Sequence, residues 1–434
     1  MSAPLVIENA RIVDPASDTD RRGAILIENG VFADMDFEGG AGVPDGAIRV
    51  DAKGHMLAPG LIDMRVFTGE PGHEYRETLA SAAAAAAAGG VTGMLLMPDT
   101  RPVIDDAALV DFIIRRSSAN GGARALPAAA MTRGLEGREI TEFGLLKDAG
   151  AKCVTDGRSA NAGSRVLRAA MTYAANFDLP VSLLALDPDL AGDGVMNEGA
   201  FSSGVGLRGI PAEAETIPLD RDIQLALMTG VRFHSSQISV GGSAAIVLRG
   251  KQSSDRISAG VSINSLSLNE NDVGAYRTFF KLSPPLRSED DRQAMIAALK
   301  AGVIDVINSD HDPQDVEVKR RPFAEAASGA IGLETLFAVA LRLHHSGDVD
   351  LKVLLRAMTQ RPAEILGLES GRIRKGASAD FFIADLELPW VVDEASLRSR
   401  SANTCFEGAT LQGRVLRTFV GGDEVYALDR SGLK

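Results

Sequence analysis

Between residues 58 and 367 the chain repeats one unit, a short apolar run followed by a longer stretch of helical composition. This repeat is the strongest limit on its fold. Strands that pair in parallel must be joined by a crossover, and a helix is the usual one. Val91-Thr92-Gly93-Met94-Leu95-Leu96-Met97-Pro98 reads as such a strand. Pro180 to Leu184, Val231 to Gln237 and Ile304 to Asp310 read likewise, and Val154-Thr155-Asp156 ends a third or fourth strand. Glu77 to Ala88 is Ala-rich and stops at Gly89-Gly90. Alanine is the strongest helix former and glycine the commonest stop, so this stretch predicts a closely packed helix. In barrels of this kind chemistry sits where the strands end, at their C-terminal face.

The two ends read differently. Leu5-Val6-Ile7 and Ala24 to Ile27 predict strands, with Glu28-Asn29-Gly30 as a hairpin turn before Val31. Gly371 to Gly376, Ala379 to Ile383 and Leu416 to Val420 also read as strands. The expected domains are 1–57 and 368–434 as β segments flanking a barrel over 58–367. A net charge of −13 argues against a phosphate backbone or an anionic membrane as partner. Two distant cysteines, Cys153 and Cys405, make neither a disulfide framework nor a cysteine-built zinc site. The chain shows no membrane-length apolar run and no cleavable leader pattern, so it is expected in the cytoplasm.

One stretch carries the functional question. In Ala58-Pro59-Gly60-Leu61-Ile62-Asp63-Met64-Arg65-Val66-Phe67 a turn leads into a buried strand, and alternation puts Asp63, Arg65 and Phe67 on one face. The stretch resembles the first barrel strand of class I dihydroorotases in the amidohydrolase superfamily, whose pattern is P-G-[FL]-I-D-x-H-x-H. Further blocks carry the resemblance along nearly the whole chain, among them Glu70-Pro71-Gly72, Gly209 to Glu215, Ser283 to Arg292, Ile331 to Thr335 and Gly371 to Phe381. The resemblance implies an α/β fold, a (β/α)8 TIM-type barrel with a small composite β-sandwich built from both termini.

It also implies which residues would hold zinc, and here the chain departs. The first two histidine ligands are replaced by Arg65 and Phe67, a third by Leu184 and a fourth by Gln237. Two carboxylates survive, Asp156 and Asp310, while the acid beside the first becomes Gly157. Guanidinium and phenyl groups offer no lone pair to a metal, and zinc takes at least three protein ligands. No zinc or other cofactor is therefore expected. The substrate positions implied by the resemblance change as well. Gly69 replaces the carboxylate-gripping arginine, Asp99 and Ser283 replace two asparagines, Asn264 and Ser265 replace a histidine pair, and Asp312 and Gln314 replace an alanine and a histidine. Asp99 would repel an anion. Arg65 is expected to fill the metal position and pair with Asp310, Asp156 or both.

The remaining histidines have bland readings. His234 should pack or hydrogen-bond between barrel and helix layer, His311 is a leftover beside Asp310, and His55, His73, His344 and His345 are surface or packing residues. Gly241-Gly242-Ser243 could make an anion nest but serves relatives only to start a helix. The loop from Asp312 to Pro322, with Lys319, Arg320 and Arg321, reads as solvent-exposed or a contact surface. The resemblance is strongest to a non-catalytic dihydroorotase-like subunit, which implies a homodimer acting as a structural or regulatory subunit for aspartate carbamoyltransferase in de novo pyrimidine biosynthesis. Against it stands an active dihydroorotase or related cyclic amidohydrolase with an atypical metal site, using Asp310.

Overall fold

The computed structural model describes residues 3–37 and 42–429. Eight strands follow in chain order around a barrel: Leu61–Val66, Val91–Leu96, Arg124–Ala130, Cys153–Thr155, Val181–Leu184, Phe233–Gln237, Ile257–Ser262 and Val306–Asn308. Each pairs in parallel with the next. The ring closes where Val66 bridges His311 and the Phe67 N–H donates to the His311 carbonyl at 2.8 Å. Asp156 thus lies just past the fourth strand and Asp310 just past the eighth. The third and seventh strands carry no long apolar run. Their small residues, Arg124-Ala125-Leu126-Pro127-Ala128-Ala129-Ala130 and Ile257-Ser258-Ala259-Gly260-Val261-Ser262, hide them from a hydrophobicity reading.

Ile62, Met64, Leu95, Met97, Ala128, Cys153 and Val306, from five strands, meet in one buried cluster. Each large apolar side chain buried this way contributes roughly 1.5–3 kcal/mol. The Ala-rich stretch forms the helix Leu79–Ala88, capped by Thr78, whose hydroxyl accepts the Ser81 N–H while Ser81 Oγ accepts the Thr78 N–H. Six of its ten residues are buried, and short side chains let it lie close to the sheet.

The termini build one further sheet. Its order is Asp423–Ala427, Thr410–Val420, Phe381–Val391, Met56–Pro59, Leu5–Asp14, Thr19–Glu28 and Val31–Phe37, with Ile48–Asp51 paired to Leu5–Asp14. Met56–Pro59 runs antiparallel to Phe381–Val391, so the N- and C-terminal segments are joined by a strand ladder just before the barrel begins. Phe381 and Phe419 stack at 4.5 Å in its core. One strand expectation fails. Gly371 to Gly376 is a turn, with both glycines at positive φ and the Ala377 N–H bonded to the Arg374 carbonyl, and the strand starts only at Phe381.

Between Phe381–Val391 and Thr410–Val420 the chain leaves the terminal sheet and binds the loops around the barrel mouth. Arg398 and Ser399 N–H groups donate to Glu334, and Ser399 Oγ and the Arg400 N–H donate to Glu77. Asn403 receives the Ile331 and Gln314 N–H groups on its carbonyl and side-chain oxygen, and gives its amide to Gly329. This strap ties the terminal sheet to the rim of the mouth.

Candidate functional site at the barrel mouth

The end of the first strand sends Arg65 inward. Arg65 is 1% exposed, the largest of the fully buried side chains among the described residues. Its Nε donates to Asp310 Oδ1 at 2.9 Å and its Nη1 to Ser236 Oγ at 3.2 Å. Gln237, at the end of the sixth strand, donates its amide to Asp310 Oδ2 at 3.2 Å. Asp310 is buried, which pushes its pKa up, while the Arg65 charge opposes that shift. Its backbone sits at φ +54°, a conformation that L residues hold only under surrounding constraint.

Asp156 is held elsewhere. Thr132, past the third strand, gives it a backbone N–H at 2.8 Å and a hydroxyl at 2.7 Å. Burial raises the Asp156 pKa to about 6. Of the two carboxylates expected as partners, Arg65 therefore pairs with Asp310, while Asp156 is held by Thr132. Leu184 is buried at the end of the fifth strand. Asn264 and Ser265 are buried in the short helix Ile263–Ser267 after the seventh.

A second guanidinium, which the sequence reading did not single out, organises the rest. Arg158 lies 3.5 Å from the centroid of the Phe67 ring, and Arg65 lies 5.0 Å from it. Arg158 grips Asp312 through Nε, at 3.1 Å, and through Nη2. Its backbone N–H reaches Asp99 Oδ1 at 3.1 Å and its Nη1 stands 3.7 Å from the same oxygen. Asp99 Oδ1 thus faces Arg158, while Oδ2 is buried without a hydrogen-bond partner, and burial raises the Asp99 pKa against the opposing Arg158 charge. Gly157, at φ +60°, has no room for a Cβ because Asp99 Oδ2 occupies that space. Gln314 donates to Asp312 at 2.7 Å. The available signal was that two acids new to the mouth, Asp99 and Asp312, call for a cation, and Arg158 follows Asp156 by two residues.

Gly69 has equally little room. A Cβ there would strike the carbonyl of His73, whose N–H closes a turn on the Gly69 carbonyl at 2.5 Å. This loop conformation excludes any arginine at position 69. Ser283 faces a cavity of about 260 Å³ that Arg65, Phe67, Arg158 and Asp310 also line.

Other expectations are corrected. His234 is fully inside, where its Nδ1 meets Ser258 Oγ of the adjacent strand at 2.9 Å. It stitches two strands instead of joining barrel to helices, and burial lowers its pKa to about 4. His311 is an anchor rather than a leftover, with Nε2 3.6 Å from Glu77 and Nδ1 facing the Gly332 N–H at 3.3 Å. Lys319 is not exposed. Its Nζ donates to the Thr278 and Ala327 carbonyls at 3.0 and 2.8 Å, and burial lowers its pKa to about 8. Arg320 and Arg321 are exposed. The Gly241-Gly242-Ser243 turn starts the helix Gly241–Ser253, and its donors go to carboxylates of the protein, Gly241 N–H to Asp291 and Ser243 Oγ to Glu215.

The donor set does not suit zinc. Of the positions to which the sequence resemblance assigns histidine ligands, two carry Arg65 and Phe67 and two carry Leu184 and Gln237. Asp310 is engaged by a guanidinium and an amide, and Asp156 by Thr132. Among the described residues no three His, Cys, Asp or Glu side chains converge in a way that could hold a metal ion.

Comparison with known proteins places this barrel. The family model described as dihydro-orotase-like matches residues 54–243. A dihydroorotase of Anaeromyxobacter dehalogenans is 39% identical over 433 residues, covering 99% of this chain and 100% of that protein. A dihydroorotase of Pelobacter propionicus is 39% identical over 422 residues, covering 97% and 99%. The chain belongs to the dihydroorotase family. Among solved structures, an L-hydantoinase (dihydropyrimidinase) from Arthrobacter aurescens superposes with TM-score 0.87 over 98% of this chain and 97% of its own, at 21% identity. At that identity the likeness speaks for the shared (β/α)8 amidohydrolase fold with its extra β-sheet. Within the dihydroorotase family, then, this member keeps the scaffold along its whole length and has a mouth lined by paired charges. Among the described residues no helix is long and apolar enough to cross a membrane.

Proposed function

We propose that this dihydroorotase-family chain has no dihydroorotase activity and works in the cytoplasm by shape. In this reading it is a homodimeric scaffold for the catalytic subunit of aspartate carbamoyltransferase in pyrimidine biosynthesis. One observation carries the loss of chemistry. The buried Arg65–Asp310 ion pair, at 2.9 Å, sits where the family would bring a metal and its activated water together. In a metal-dependent relative the acid at 310 would move a proton between that water and the leaving nitrogen. Here the same carboxylate is committed to a guanidinium and an amide donor, and a cation nearby would meet the Arg65 charge. The partner rests on the sequence resemblance alone.

The second reading is catalysis, and a definite observation favours it. Relatives at 36–39% identity, across 96–99% of this chain, carry the name dihydroorotase. Under that reading the chain is a cyclic amide hydrolase that uses Asp310 with an unusual metal site. Pure protein assayed for dihydroorotate hydrolysis and for the reverse ring closure separates the two. The scaffold reading expects no turnover with or without added zinc. Turnover that disappears in Asp310→Asn would establish catalysis. Co-expression with an untagged aspartate carbamoyltransferase catalytic chain tests the partner. Co-elution in one stoichiometric peak is expected, and separate elution at micromolar concentration would remove that role.

A further inference from the structure

At the N-terminal face of the barrel, away from the mouth, a cavity of about 500 Å³ opens along the seam with the terminal sheet. Four pieces of chain wall it. They are the C-terminal end of the helix Ala107–Asn120, the start of the strand Arg124–Ala130, the residues Gly150 and Lys152 that lead into Cys153–Thr155, and the sheet strand Asp423–Ala427 with Val420 before it. Its floor is apolar, from Ile114, Leu126, Pro127, Val420 and Val425. Small-molecule pockets commonly lie between domains and join apolar walls to a few polar groups. Most polar groups on this wall are already used. Ser117 Oγ accepts the Ala125 N–H at 2.9 Å, Ser118 Oγ donates to the Ile114 carbonyl at 2.9 Å, and Arg124 is paired with Asp380. Two charges are not used. Lys152, half-buried, and Asp423, exposed, make no ion pair or side-chain hydrogen bond among the described residues. They lie on opposite sides. A Cβ on Gly150, two residues before Lys152, would stand 2.7 Å from Ile114 Cδ1, which sets Lys152 beside the middle of the helix. Gly122, past the helix end, stands against Ala83 of the helix Leu79–Ala88, and that helix packs on the strand carrying Asp423. On this second side the wall also offers acceptors. Gly121, at φ +67°, returns no N–H to the last turn, whose carbonyls keep the partial negative charge of a helix C-terminus.

We propose that this seam binds a small apolar molecule carrying both an ammonium and a carboxylate, as a free apolar amino acid does. The carboxylate meets Lys152, the ammonium meets the helix carbonyls and Asp423, and the apolar side chain covers the floor. A ligand with one charge leaves the opposite group of the wall unanswered. A molecule held here touches both the barrel and the terminal sheet, so it stabilises their docking by mass action. The site is separate from the barrel mouth and goes beyond the scaffold reading, since it requires neither a metal nor a partner chain.

The probes are free L-leucine, L-phenylalanine and L-tryptophan. Isothermal calorimetry on the full chain should show saturable binding of at least one of them, and the melting temperature should rise with its concentration. The N-acetyl and the amide forms of that amino acid each lack one charge. Each should bind about tenfold more weakly or worse, because a charged hydrogen bond is lost. Lys152→Gln should weaken the amino acid by a similar factor and leave its amide form unchanged. Val425→Trp should fill the cavity and abolish binding. Thermal melting of each variant without ligand checks that it folds, and Lys152→Gln alters only a half-buried side chain without a partner. No saturable binding of any of the three, equal affinity for the singly charged forms, or unchanged affinity in a folded Lys152→Gln chain would overturn the site. None of these results bears on the dihydroorotate assay, which tests the non-catalytic reading separately.

Discussion

Arg65 shows most clearly what one substitution does to a barrel mouth. A histidine at this position brings a neutral lone pair, whereas arginine brings a permanent charge that must be matched when buried. Removing one member of a buried pair costs about 3–5 kcal/mol, since the other is left uncompensated. Arg65→Met should therefore lose stability by that amount in urea unfolding. Arg65→Met combined with Asp310→Asn should recover most of it, because neither charge is then left alone. If the double variant is as unstable as the single, the pair is not what stabilises the mouth. The replaced positions Arg65, Phe67, Leu184 and Gln237 were legible in the sequence because each is a change of chemistry at a fixed motif position. Arg158 was not, because no motif marks it. Its role arises from three loops meeting, at Asp99, Phe67 and Asp312, and only the folded chain brings them together.

Among the elements, the strap between the strands Phe381–Val391 and Thr410–Val420 was invisible in the sequence. It has no periodicity, and its meaning lies in the distant carboxylates that accept its N–H groups. Burial raises the Glu334 pKa to about 7 from an ordinary 4.5. The folded state then holds a proton that the unfolded chain has released. The stabilising contribution is complete below the ordinary value and is lost as pH rises through about 7. Denaturation midpoints should fall between those limits, and Glu334→Gln should flatten that fall while leaving the strap in place, since an amide oxygen still accepts from Arg398 and Ser399. An unchanged pH slope in the variant would show that Glu334 does not carry it. Strands with apolar runs, such as Val91–Leu96, were readable in advance. Arg124–Ala130 and Ile257–Ser262, built largely from small residues, became strands only because their neighbours in the ring require them.

For the whole molecule, the resemblance carried by blocks from Pro59 to Phe381 made the barrel and the terminal sheet legible, and the sequential order of the barrel strands follows from parallel pairing around one ring. What the fold does not determine is activity, because the same barrel can hold a metal centre or a network of ion pairs. The central claim is that guanidinium chemistry has replaced metal chemistry at the mouth. The most direct measurement is the zinc content of the chain, purified without chelators from zinc-supplemented cells and measured by mass spectrometry of the element. The account predicts zinc far below one ion per chain, with no change in Asp310→Asn. Zinc retained at one ion per chain, and lost in that variant, would contradict it.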